Sequence, residues 1–189
     1  MLPQEKREIT ANKKRGITVS DILLIAVLLA AGAVLKIFAN TIFAFTPLKP
    51  NMVIAMYALA ILLIRPRFFE TLAIGLIAGV ICMFLPGATP YANIASEAVG
   101  AIVMLILMKI PFAVKFKKVD FRPAILTFFT TLASGYTFFL MLNLLILSGM
   151  EINGMAFGVF NGIILGTAAA NSIAVFALYP AIRQITGNR

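Results

Sequence analysis

The Lys and Arg residues of this chain fall almost entirely in alternate gaps between six long apolar stretches, and that alternation leaves few folds open. The stretches run over Thr18–Asn40, Asn51–Ile64, Phe68–Leu85, Ala92–Lys109, Ala124–Leu147 and Met155–Ile182, each of the order of a membrane-spanning helix. Six such helices bring both termini to one side. Lys6, Arg7, Lys13, Lys14 and Arg15 precede the first stretch, and Arg65 and Arg67 lie between the second and third. Lys109, Lys115, Lys117, Lys118 and Arg122 lie between the fourth and fifth, and Arg183 and Arg189 follow the sixth. Only Lys36 and Lys49 fall on the opposite side. Because Lys and Arg near span ends are retained in the cytoplasm, the pattern predicts cytoplasmic termini and cytoplasmic 2–3 and 4–5 connections.

The sequence therefore reads as an all-α, polytopic integral membrane protein of six transmembrane helices. Residues 1–17 form a basic cytoplasmic segment and residues 18–189 a single six-helix membrane domain. At 61% hydrophobic and 12% charged residues, nearly all of the 189 positions are needed for the bundle. The net charge of +9 is then a topology signal, and nucleic-acid binding is the weaker explanation of it. The first seventeen residues are too polar for a signal peptide, so the first apolar stretch is expected to stay as a helix. The lone Cys82 has no partner for an intramolecular disulfide and reads as a small buried hydrophobe.

Several chemistries are disfavoured by the residues themselves. The chain has no histidine, which removes the usual general base, the commonest metal ligand and the Ser-His pair of an intramembrane hydrolase. Ser134-Gly135 is then a small-residue pair. No GxxxxGK[ST] phosphate loop is present, so energy for any transport must come from a partner or a gradient. The acidic residues Glu5, Glu8, Asp21, Glu70, Glu97, Asp120 and Glu151 are scattered, without metal-site spacing. No metal, cofactor or catalytic residue is expected.

Small residues at four-residue spacing let helix backbones approach closely in lipid. Gly75 with Gly79, and Gly158, Gly162, Gly166 and Ala170, read as seams for packing inside the bundle. Ala26 and Ala30 on the first helix form a similar seam that suits another membrane subunit as well. Polar groups at membrane depth need a partner or a task, and Glu97 is the sharpest of them. It either holds a substrate ammonium or pairs with Lys36 or Lys49, and Asn93 lies one turn before it on the same face. Lys36 either snorkels to the headgroups or enters a pocket. Lys49 is held between Pro47 and Pro50, in a shaped loop beside a short second helix of about 21 Å. A short helix leaves a recess that this loop would cover. Tyr136, Asn143 and Asn161 serve equally well as ligand contacts or as interhelical hydrogen bonds, while Asn171 is placed toward the cytoplasmic end as a structural residue.

Particular segments resemble a known family. Lys49-Pro50-Asn51-Met52, Ile64-Arg65-Pro66-Arg67, Pro90 through Glu97, Leu132-Ala133-Ser134-Gly135, Ala170-Asn171-Ser172-Ile173 and Tyr179-Pro180 are similar to the substrate-binding S components of energy-coupling factor (ECF) transporters, most closely the tryptophan transporter family. The resemblance covers nearly the whole chain. It implies a six-helix binder in the cell membrane that captures substrate on the extracellular side, docks a transmembrane scaffold (T) subunit, and relies on two cytoplasmic ATPase subunits. It also implies that Ala26 and Ala30 contact the scaffold. One position departs from the family pattern: an acidic residue often follows the Lys-Pro pair, and here it is Asn51.

On that resemblance, the expected substrate is tryptophan or a similar small aromatic zwitterion. Glu97 would meet the ammonium and Lys49 the carboxylate, with Asn93, Asn51 and Asn143 supplying hydrogen bonds and Met52, Met56, Tyr91 and Phe84 surrounding the ring. An S component for a vitamin or modified base, and a structural or assembly membrane protein without substrate, are the rival readings.

Overall fold

Thr18 starts the first helix, α1 (Val19–Ile42), through a reciprocal cap: its Oγ1 accepts the Asp21 N–H at 3.3 Å while its own N–H donates to Asp21 Oδ2 at 2.9 Å. The computed structural model describes residues 16–45, 50–86, 89–116, 119–152 and 154–187. After α1 come α2 (Val53–Ile64), α3 (Phe68–Met83), α4 (Pro90–Met108), a ribbon of β1 (Lys115–Phe116) and β2 (Val119–Asp120), α5 (Arg122–Leu147) and α6 (Phe157–Ile185). Pro90 and Pro123 lie in the first turns of α4 and α5, where the missing N–H costs nothing. The α2 helix stops where Arg65 turns left-handed, at φ 54°, ahead of Pro66, which has no N–H to continue the ladder.

The organising element is α2. Eleven of its twelve residues are buried, and it touches each of the other five helices. A helix apolar all round, VIAMYALAILLI, is stable only where every face meets other apolar surface. Around it, α3 packs on α4, α4 on α5 and α5 on α6, with α1 against α2. The outer faces of this shell expose Leu23, Val27, Phe38, Ile77, Phe129, Leu140 and Ile173, surface suited to lipid.

Four helices, α1, α4, α5 and α6, are long and apolar enough to cross a membrane. The other two are shorter than the expected spans: α2, at 12 residues, is about 18 Å long, and α3, at 16, is about 24 Å. For α2 the reason is its position, since a helix sheathed by protein need not match the thickness of the bilayer. The all-helical expectation has one small exception. In the 4–5 connection Lys115 pairs with Asp120 and Phe116 with Val119 in an antiparallel ribbon, secured where the Arg122 N–H reaches Asp120 Oδ1 at 3.0 Å.

The described cations Arg65, Lys109, Arg122 and Arg183 lie at one end of the bundle. Gly16 to Asp21, before and at the start of α1, share a cleft with Arg65, Pro66 and Glu70. Arg65 and Pro66 share another with Lys109, Asp120, Arg122 and Tyr179, and Asp120 with Tyr179 and Arg183 line a third. The stacked rings of Phe121 and Phe176, 5.1 Å apart, tie the end of the ribbon to α6.

The small-residue seams divide. A Cβ at Gly79 would lie 2.7 Å from Ile94 Cα, and one at Gly75 would lie 2.8 Å from Glu97 O, so the α3 seam packs on α4 as expected. The α6 seam does not pack inward. A Cβ at Gly158 or Gly162 would meet nothing within 4 Å. The reason is the opposite stripe of α6, Phe160, Ile164, Thr167, Ala168, Asn171 and Val175, which is buried and turns the glycines outward. On α1 the inward stripe is Ile25, Leu29, Gly32 and Lys36, which leaves Ala26 and Ala30 exposed.

Candidate functional site

A cavity of about 160 Å³ lies at the end of the bundle away from the basic clefts. One wall is polar, formed by Lys36 and Asn40 of α1, Asn51 before α2, and Asn93, Ser96 and Glu97 of α4. The other is apolar: Ile54 of α2, Phe138 of α5, and Phe160, Ile163 and Ile164 of α6. Thr131, Ser134, Gly135 and Thr167 join the two walls. A mainly apolar concavity with a few convergent polar groups is the usual form of a small-molecule site.

Glu97 is the hub of the polar wall. It is 1% exposed, and its Oε1 accepts from Asn51 Nδ2 at 2.5 Å. Ser134 Oγ reaches Oε2 at 3.4 Å, and Cys82 Sγ lies 3.8 Å from Oε1 and the same distance from Asn51 Oδ1. Asn93 Nδ2 donates to Cys82 O at 3.5 Å, and Ser96 Oγ to Asn93 O at 3.1 Å. Asn51 is itself held from α6, because Asn171 Nδ2 donates to Asn51 O at 3.1 Å and to Thr131 Oγ1 at 3.2 Å. At the mouth Asn40 Nδ2 reaches Pro86 O at 3.4 Å, and Asn40 Oδ1 is buried without a partner among the described residues.

Beneath Glu97 the helices are in close contact. The Tyr57 hydroxyl of α2 occupies the space where a side chain at position 100 would begin, with a Cβ there 2.2 Å from Oη and 3.0 Å from Ser134 Cβ. Tyr57 is fully buried and its hydroxyl has no hydrogen bond of good geometry. Glycine at 100 is what allows α2, α4 and α5 to meet under the carboxylate.

Of the residues singled out from sequence, Glu97, Asn93 and Asn51 come together on one wall. Lys49 lies outside the described residues. The others lie off the cavity lining. Met56 is 2% exposed and packs against Gly32, where α1 and α2 touch, and Met52 is half-buried at the start of α2. Phe84 and Tyr91, at the ends of α3 and α4, are 82% and 62% exposed. Asn143 is exposed and donates to Phe139 O of its own helix at 2.7 Å, and the Tyr136 hydroxyl donates to Asn161 Oδ1 across α5 and α6.

Sequence reasoning passed over two features and misplaced a third. Phe138 and Phe160, with parallel rings 6.1 Å apart, form the aromatic side of the cavity, and no sequence signal separates them from the other phenylalanines. Ser134 and Gly135 line it, although they read as a packing pair. The available signal was spacing, since Thr127, Thr130, Thr131 and Ser134 form a polar stripe down one face of α5 and all four are buried. Asn171 lies at the level of Asn51 near the cavity, contrary to its expected place toward the cytoplasmic end.

Fold and site define a helical membrane protein built around a polar-to-aromatic cavity. Residues 18–186 match the family described as Tryptophan transporter TrpP. The chain belongs to that family, and its activity is therefore transport. No curated protein and no solved structure matches the chain.

Proposed function

We propose that the protein is the substrate-capturing S component of an ATP-driven ECF-type uptake transporter for tryptophan. Its six helices lie in the cell membrane with both termini cytoplasmic and the cavity toward the extracellular side. The observation that carries the substrate assignment is the opposition of Glu97, Asn51 and Asn93 to Phe138 and Phe160 across one cavity. An amino acid with an indole ring has the same division. Its ammonium meets the Glu97 carboxylate through a charge-assisted hydrogen bond, and the ring lies against Phe138, Phe160 and Ile164. The unpartnered Asn40 Oδ1 is an acceptor for a substrate N–H.

The division of labour with other subunits has separate support. The sequence has no phosphate loop, so a transporter of this kind takes its energy from elsewhere. Ala26 and Ala30 present a small, exposed surface on α1 for the close approach of a scaffold helix.

Two measurements test the proposal. The protein contains no tryptophan, so the emission of a bound indole is read against tyrosine alone. Purified protein should be stabilised against heat by added tryptophan and not by leucine. Absence of both signals would overturn the substrate. Affinity purification from its native membrane should bring down a transmembrane scaffold and two ATPases, and recovery of the protein alone would overturn the ECF assignment.

A further inference from the structure

Lysines near the end of a membrane helix ordinarily extend along it and place their ammonium among the headgroups. Lys36 does not. It is 6% exposed, and it continues the inward stripe of α1 through Ile25, Leu29 and Gly32 into the cavity. The fold thus points this side chain at the site.

Its ammonium lies within electrostatic reach of Glu97 and Cys82. Yet among the described residues no ion pair joins Lys36 to Glu97, whose oxygens instead take donors from Asn51 and Ser134. Among the described residues, Lys36 and Glu97 are the only charged ones lining the cavity. No described carboxylate touches this buried ammonium directly, so the space beside Lys36 suits an anionic group. A zwitterion supplies it. Its ammonium satisfies Glu97, its carboxylate satisfies Lys36, and both protein charges are compensated at once.

We infer that Lys36 is the residue that receives the substrate's carboxylate and so makes the site selective for the zwitterion over the corresponding amine. The inference rests on the tryptophan reading above and adds a residue and a selectivity to it. It assigns the carboxylate to α1 instead of to Lys49.

The experiment measures the affinities of tryptophan and of tryptamine, which lacks only the carboxylate, for the purified protein and for Lys36→Met, Lys36→Arg and Lys49→Met. The unaltered protein is expected to prefer tryptophan by about tenfold to a hundredfold, the range of a charge-assisted hydrogen bond. Lys36→Met should lose that preference without weakening tryptamine, whose ammonium no longer shares the cavity with a like charge, and Lys36→Arg and Lys49→Met should keep it. Equal loss of both ligands in Lys36→Met would show a residue that only shapes the cavity and would overturn the inference. So would a preference that disappears in Lys49→Met and survives in Lys36→Met. If Lys36→Met does not fold, the unaltered protein decides through tryptophan methyl ester, which lacks the anionic oxygen. Weak binding of the ester supports a cation at the carboxylate, and binding equal to that of tryptophan overturns it. Failure of the unaltered protein to bind tryptophan removes the substrate reading itself, whereas binding with an unaltered preference in Lys36→Met removes Lys36 alone.

Discussion

Asn51 Nδ2 donates to Glu97 Oε1 at 2.5 Å, and this bond fixes the start of the central helix α2 to α4. It is also where stability and binding separate most cleanly. Asn51→Ala removes the closest donor to Oε1 and leaves the weak thiol of Cys82 at 3.8 Å, a poorly satisfied buried acceptor that costs about 1–3 kcal/mol. Glu97→Gln keeps an oxygen for Asn51 and removes the charge. Thermal unfolding in detergent should therefore show Asn51→Ala clearly destabilised and Glu97→Gln close to the unaltered protein. Tryptophan binding should fall in Glu97→Gln by about tenfold or more. Unchanged affinity there would falsify a role for Glu97 in the site.

A second relationship lies one helical turn below, between Gly100 and Tyr57. A methyl group at 100 would start 2.2 Å from the Tyr57 hydroxyl, whose ring is enclosed on all sides and has no room to retreat. Gly100→Ala should destabilise by about 1–3 kcal/mol or more through overpacking. Tyr57→Phe removes the oxygen that the methyl group would meet, and alone it should cost no more than about 1.5 kcal/mol, the worth of one hydrogen bond. Combined, the two should recover most of the loss. A double-mutant cycle with coupling near zero would show that the clash is relieved elsewhere.

These two contacts also show how far the sequence could be read. Glu97, Asn51 and Asn93 were legible because polar atoms at membrane depth are costly, and so a polar residue in an apolar run marks either a site or a helix contact. Tyr57 and Gly100 were not, because their relation depends on which helix is central. The clue to that is the unbroken apolarity of VIAMYALAILLI, which suits a short span as well as a central helix. Phe84 and Tyr91 illustrate the converse. Aromatics at helix ends in an apolar chain carry no sign of direction: the structure turns Phe84 and Tyr91 outward, while Phe160, in the first turn of α6, faces the cavity with Phe138 of α5. The α6 glycines failed for the same reason, since four-residue spacing defines a face without saying what lies opposite it.

That last contrast is measurable. Gly79→Ala places a methyl group 2.7 Å from Ile94 Cα, backbone that gives way only if α3 and α4 separate, and should cost about 1–3 kcal/mol. Gly162→Ala enters open space and should stabilise the isolated protein by up to about 1 kcal/mol, the difference in helix propensity. Thermal unfolding of the two variants side by side is sufficient. Equal destabilisation would mean that the α6 face packs within the protein after all.

Cations from separate gaps of the sequence lie together at one end of the bundle. Arg65, Lys109, Arg122 and Arg183 belong to three different gaps of the sequence, yet they line neighbouring clefts, with Gly16 to Asp21 beside them. Lys36 stands apart, in the cavity. A bundle with its retained cations gathered in this way should sit with that end in the cytoplasm. Cys82 is fully buried and gives a silent background for labelling. In intact cells a membrane-impermeant maleimide should label Ser148→Cys, in the exposed cap of α5, and should label Gln184→Cys, exposed near the end of α6, only after permeabilisation. The reverse pattern would place the cavity on the cytoplasmic side, and the proposal of substrate capture from outside would fall with it.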